Sequence, residues 1–234
     1  MSVLPLYGIL RCIAGCPFFS KCSATVFACL ILSLLNGCGS LLPKAPEQPT
    51  LYILDGGPPD AKSILNNNNV DMRHGPAALP LPALTVSTPI AAAGFGGVHI
   101  IYQRKEYELE RFALNQWVDT PAQMLAPLIV RAIEGSGGFR GVVRGSTAAV
   151  SDFRLDTEIV RLQQNFISTP SAARLTLRAV LVNTATRRIV ASREFDVSVS
   201  ARSEDPRGGV VAANAAVRQV LASLSKFCAE AVVP

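Results

Sequence analysis

The residues able to do chemistry are few. Cys12, Cys16 and Cys22 stand close enough together to suggest metal ligands, but no second ligand pair follows at zinc spacing. His74 and His99 are far apart in the chain, one in a probable loop and one in a predicted strand, so a histidine-based triad has a single usable base. Gly135-Ser136-Gly137-Gly138 follows a predicted helix rather than opening one, which makes it a cap and turn instead of a phosphate cradle. Asp152, Asp156 and Glu158 alternate along a predicted strand beside Arg154 and Arg161. A paired acid/base site is one reading of them, and a solvated face with cross-strand ion pairs is the favoured one. No GxSxG elbow, P-loop or HExxH is present, so no catalytic residue, metal site or cofactor is assigned.

One cysteine is different. Leu35-Asn36-Gly37-Cys38 ends an apolar run over residues 22–35, the length of a signal-peptide core, preceded by Arg11 and Lys21. That run is shorter than the ~20 apolar residues a membrane helix needs. The tetrad resembles the lipobox of bacterial lipoproteins. There a thiol nucleophile accepts the diacylglyceryl group, and a small residue before it permits cleavage. Cleavage is expected between Gly37 and Cys38, leaving Cys38 lipidated at the new N-terminus. Asn36 departs from the usual small or apolar residue. An ordinary secretory signal with a free Cys38, or an uncleaved anchor, are the alternatives.

Removal of residues 1–37 takes Arg11 and Lys21 from the 22 basic residues and none of the 17 acidic ones, leaving a net charge of +3. The positive mean hydropathy is raised by the same segment and does not argue for a polytopic membrane protein. The dispersed arginines form no basic stripe, so no nucleic-acid partner is implied. Cys228 is then the one cysteine beside Cys38, and no intrachain disulfide is expected.

Residues 38–50 carry three prolines and no periodicity, the composition of an extended tether. A single domain should fill 51–234. Its opening strand, Leu51-Tyr52-Ile53-Leu54, leads into a long loop over 55–83 with four consecutive asparagines, expected to be disordered. Strands are predicted over 84–90 and 98–103, separated by a flexible 91–97, with a weaker edge strand over 107–114. Thr120-Pro121-Ala122-Gln123 is a capping box with proline at the first helical position. The helix it opens should stop at Gly135, and Pro127 should kink it or mark a late start. Strands over 139–143, 152–163, 174–182 and 188–200 follow, the last two joined by a turn at 183–187. A helix over 209–232 should bury Val217, Leu221, Leu224 and Cys228. The alternation predicts an α+β domain: a mostly antiparallel sheet of about five to seven strands covered by two main helices. Tyr52, Tyr102, Tyr107 and Trp117 gather around the early strands. Core packing is the simple reading of them, and a hydrophobic or partner surface is the functional one.

Several of these segments together resemble the ABC-type transport auxiliary lipoproteins, the family that includes paraquat-inducible protein C. They are the LNGC tetrad, Leu51–Leu54 after the proline-rich tether, Ile101-Tyr102-Gln103-Arg104, residues 117–125 with Trp117 and Pro121, and the final helix with Ala212-Ala213-Asn214-Ala215-Ala216. The resemblance implies a non-enzymatic lipoprotein working beside an ABC permease and ATPase and a mammalian-cell-entry (MCE) domain protein. Such systems move phospholipids or other hydrophobic molecules between membranes. It also implies a homo-oligomer lipid-anchored to the outer membrane and facing the periplasm, since Gly39 replaces the aspartate that retains lipoproteins in the inner membrane. An envelope scaffold, such as a secretion pilot or a lipopolysaccharide-export assembly factor, is the alternative. A lipoprotein hydrolase is the third reading.

Overall fold

The computed structural model describes residues 47–56, 81–145 and 151–232. The expected export segment 1–37, Cys38 and most of the expected tether lie outside the described residues, as do residues 57–80 of the long loop. Residues Gln48–Pro234 form a compact unit. Its elements in order are β1 (Thr50–Tyr52), β2 (Ala83–Val86), β3 (Ile90–Ala91), β4 (His99–Gln103), β5 (Glu110–Trp117), α1 (Pro121–Glu134), β6 (Gly141–Arg144), β7 (Phe153–Asn165), β8 (Ala172–Asn183), β9 (Ile189–Ser200) and α2 (Pro206–Ala231).

β7 organises the sheet. One of its edges pairs antiparallel with β8 from Phe153↔Asn183 to Asn165↔Ala172, and β8 pairs in turn with β9. The other edge is shared by three short strands in series, all parallel to it. β2 lies against Leu155, β3 against Glu158 and Ile159, and β4 against Gln164 and Asn165. β6 extends the sheet beyond β2, while β5 and then β1 extend it beyond β4. The α+β expectation therefore holds, with long antiparallel pairs. The described sheet has nine strands rather than five to seven, and the short pairs that β2, β3 and β4 make with β7 are parallel because the chain from β2 to β4 runs alongside β7 in β7's own direction.

Alternation assigns the two faces. Leu155, Thr157 and Ile159 of β7, Leu175, Leu177 and Leu181 of β8, and Phe195 of β9 are buried under the helices. The helices supply Leu125, Ile129 and Ile133 from α1 and Val217, Val220 and Leu224 from α2. A register shift between Ile159 and Arg161 breaks the alternation, so Leu162 and Gln164 continue the buried face. Gln164 there meets α2 so closely that a Cβ on Gly209 would stand 2.0 Å from its Oε1. Glycine is the residue that fits.

The segment after β1 is tied down by one buried amide. Asn214 Oδ1 accepts from the amides of Asp55 (2.9 Å) and Gly56 (3.0 Å), and its Nδ2 donates to the carbonyls of Ile53 (3.1 Å) and Val210 (3.2 Å). Arg218 donates to the Gly56 carbonyl, and the Leu54 amide to the Met124 sulfur at 3.4 Å. The first two residues of the expected disordered loop are thus fixed, and Ala83 at its far end already belongs to β2.

Several boundaries differ from expectation. The strand read over 84–90 is two, β2 and β3, because Pro89 has no N–H for the ladder. The weak edge strand read over 107–114 is β5, three residues later and interior, since β1 covers its outer edge. α1 is capped by Thr120, whose Oγ1 accepts from the Gln123 amide at 3.4 Å, and it runs through Pro127 without a late start. Gly135 caps it with right-handed geometry (φ −64°), and Gly137 takes the positive φ of 66°. α2 begins three residues before its predicted start. Asp205 is its N-cap, accepting from the Gly208 amide at 2.6 Å, with Pro206 at the first position.

Three outcomes follow from this packing. Asn214→Ala strands the Ile53 carbonyl and the Asp55 and Gly56 amides, and should lower the unfolding free energy by about 2–3 kcal/mol in a urea titration. Cys228 is fully buried and its thiol is pushed up to about 12 by that burial, so a disulfide reagent should label it in urea but not in native protein. Asp196 is held below the ordinary carboxylate range chiefly by its hydrogen bond from Arg174. Its contribution is therefore present above the unfolded carboxylate pKa of ~3.9 and lost as pH falls through the lower folded value. Asp196→Asn should flatten the acid limb of the pH–stability curve.

Candidate functional site

The four aromatic residues singled out by sequence do not share one surface. Trp117 is in the core, 4% exposed, and pairs in register with the half-buried Tyr52 of β1. Tyr102 is 8% exposed and stacks on Phe112 at 4.3 Å between centroids, with Phe166 edge-on at 5.9 Å. Its hydroxyl donates to Glu110 Oε2 at 2.8 Å, and this bond, with burial second, pushes its pKa up. The Arg104 guanidinium lies 4.9 Å over the same ring. Tyr107 stands apart at the tip of the β4–β5 turn, 97% exposed and at φ 68°.

The strand carboxylates form an ion-pair ladder on the solvated face. Asp152 pairs with Arg140 at 3.0 Å and accepts from the Ala83 amide at 2.7 Å. Asp156 pairs with Arg154 at 3.0 Å and accepts from the Ser87 hydroxyl at 2.6 Å. Arg178 bridges Glu158 (3.2 Å) and Glu194 (3.1 Å) across three strands, while Arg174 pairs with Asp196 one step along. Arg178 and Arg174 join neighbouring strands, whereas Arg154 and Asp156 pair within β7. His74 lies outside the described residues. Among the described residues there is no group of His, Cys, Asp or Glu that could hold a metal ion, and no helix is long and apolar enough to cross a membrane.

One concave feature among the described residues borders the segment read as flexible. Residues 91–97 fold back over the start of β4, held by the Ala92 amide donating to the Ile159 carbonyl at 2.9 Å and by the buried Phe95. An open groove of about 770 Å³ lies between this loop, His99 and Ile101 of β4, and Leu109, Glu110 and Arg111 at the start of β5. Opposite it β5 is irregular. His99 pairs with Gln116 but Ile101 with Arg111, so β5 bulges away and leaves the space open. His99 Nδ1 is buried without a hydrogen-bond partner, and Arg111 has no ion pair or side-chain hydrogen bond among the described residues. No local sequence signal marks the groove, because it depends on the long-range placement of β3 against β7.

Protein XCC0632 from Xanthomonas campestris, of the DUF330 family, superposes with a TM-score of 0.61 at 25% identity, over 80% of this chain and 96% of its own. An uncharacterized protein superposes with a TM-score of 0.57 at 15% identity, over 78% of this chain and 99% of its own, a likeness of fold. No curated relative matches in sequence. The profile of the ABC-type transport auxiliary lipoprotein component family matches residues 67–225, and the chain belongs to that family.

Proposed function

We propose that this chain is a non-enzymatic auxiliary component of an ABC/MCE-type system carrying phospholipids or other hydrophobic molecules across the envelope. In this reading residues 1–37 are removed, Cys38 carries the lipid, and the tether holds the domain at the outer membrane, facing the periplasm. Its partners are an MCE-domain protein, the ABC permease and ATPase, and further copies of itself. The observation that carries the proposal is the family match over residues 67–225. Two features of the fold support it. The segments that carry the resemblance, Tyr52, Trp117, the Thr120-Pro121 cap and Asn214, cluster where β1 and β5 meet the helices, a packing framework rather than a reaction centre. Asp152, Asp156, Glu158, Glu194 and Asp196 of the solvated face are engaged by Arg140, Arg154, Arg174 and Arg178, a surface suited to docking rather than to reaction.

Two measurements test it. The mass of the mature N-terminus, taken from isolated membranes, should correspond to a lipid-modified Cys38, and Cys38→Ser should accumulate unprocessed precursor. An unmodified Cys38 overturns the anchoring. The full-length protein purified in mild detergent should bring an MCE-domain protein with it, and repeated absence of that partner overturns the transport role.

A further inference from the structure

We infer that the groove beneath residues 91–97 binds one molecule of an anionic phospholipid, its phosphate against Arg111 and an acyl chain along the small apolar wall. The inference rests on the lipid-transport reading above and names a lipid site within it. The volume of about 770 Å³ falls within the roughly 300–1,000 Å³ of small-molecule sites. Its wall is alanine and glycine from 91–97, with Ile101 and Leu109 completing the apolar surface.

The polar groups fit an anion. Arg111 shares its face with its register partner Ile101, and no carboxylate engages it among the described residues. Glu110 also borders the groove. By strand alternation, however, its side chain lies on the opposite face with Tyr102, whose hydroxyl it accepts, so it does not neutralise Arg111. Lys105 and Glu108 of the adjacent turn pair with each other at 3.3 Å. An uncompensated guanidinium beside an apolar trough is complementary to a phosphate joined to an acyl chain.

The strand directions place a membrane within reach. β1 runs parallel to β5, so its N-terminal end points toward the end of the sheet where β5 begins. That end carries the groove's Leu109 and Arg111 together with Tyr107, the amphipathic residue type that settles at a bilayer surface.

The test uses the lipid-free domain 48–234, a compact unit with its own core, and a phosphatidylglycerol with a fluorescent acyl tail. Saturable binding at one lipid per domain is expected. Arg111→Glu should weaken it roughly tenfold or more, whereas Arg202→Glu, the same charge change at an exposed site elsewhere, should leave it intact. Gly97→Leu should abolish it. A Cβ at Gly97 meets only His99 Cδ2, at 4.0 Å, so a longer side chain there fills the trough without a clash at its base. Gly96→Leu is the second plug, its Cβ meeting only Ala91 Cβ at 4.0 Å. Inorganic phosphate should not displace the lipid, and diacylglycerol with the same tail should bind more weakly.

The inference is overturned by absence of saturable lipid binding, which would leave the groove to a protein segment. Unchanged binding by a folded plug variant, or displacement by phosphate alone, overturns it as well. Co-purification of the plug variants with the MCE-domain protein separates the two readings. Loss of lipid with the partner retained supports the groove and leaves the transport role standing. Lipid binding in a protein that never captures the partner removes the role and keeps the site.

Discussion

Everything in the sheet depends on β7 having two edges put to different uses. Along β8 it forms a continuous antiparallel ladder, and β8 and β9 prolong the same pattern. Along the other edge its hydrogen-bonding groups are divided among β2, β3 and β4, none longer than five residues. Those short strands have little intrinsic stability, because few residues repay the entropy of ordering each one. They persist because the long edge is already rigid when they add to it. The interruptions between them are where polar and flexible chemistry is admitted. Ser87 reaches Asp156 across the first gap, and residues 91–97 arch over the second.

The same division explains what could be read from the chain. β8 and β9 declare themselves through strict alternation, with Leu175, Leu177 and Leu181 set against Arg174 and Arg178. The Thr120-Pro121 cap is equally plain, because proline at the first helical position has a local cause. Asp205-Pro206 carries the same signal, yet the arginine and two glycines behind it obscure the apolar stripe of α2. The short parallel strands have no comparable mark. Nothing in residues 83–103 says that they line up beside β7 rather than pairing with one another. Trp117 shows the limit for single residues: an aromatic at a strand end reads alike whether it caps the core or faces a partner, and burial alone separates the two. The groove is harder still, since its floor, wall and cation come from three segments joined only by tertiary register.

Charge is distributed with the same economy. Arg140, Arg154, Arg174 and Arg178 are engaged in ion pairs, and each exposed pair contributes little to stability on its own. Their effect is to fix side-chain directions and to remove free charge from most of that surface. Arg111 matters by contrast. A cation left without a partner there is a local source of positive potential at the mouth of the groove.

The Asn214 clamp has a mechanical consequence. Any pull on the domain from its N-terminal end enters through β1, which lies parallel to β5, so tension along the chain loads their hydrogen bonds in shear rather than peeling them one by one. A three-residue ladder would slip early under such a load. Immediately after it, the three hydrogen bonds that Asn214 makes with Ile53, Asp55 and Gly56 hand the force to the longest helix of the described chain, and from there to the whole sheet beneath it.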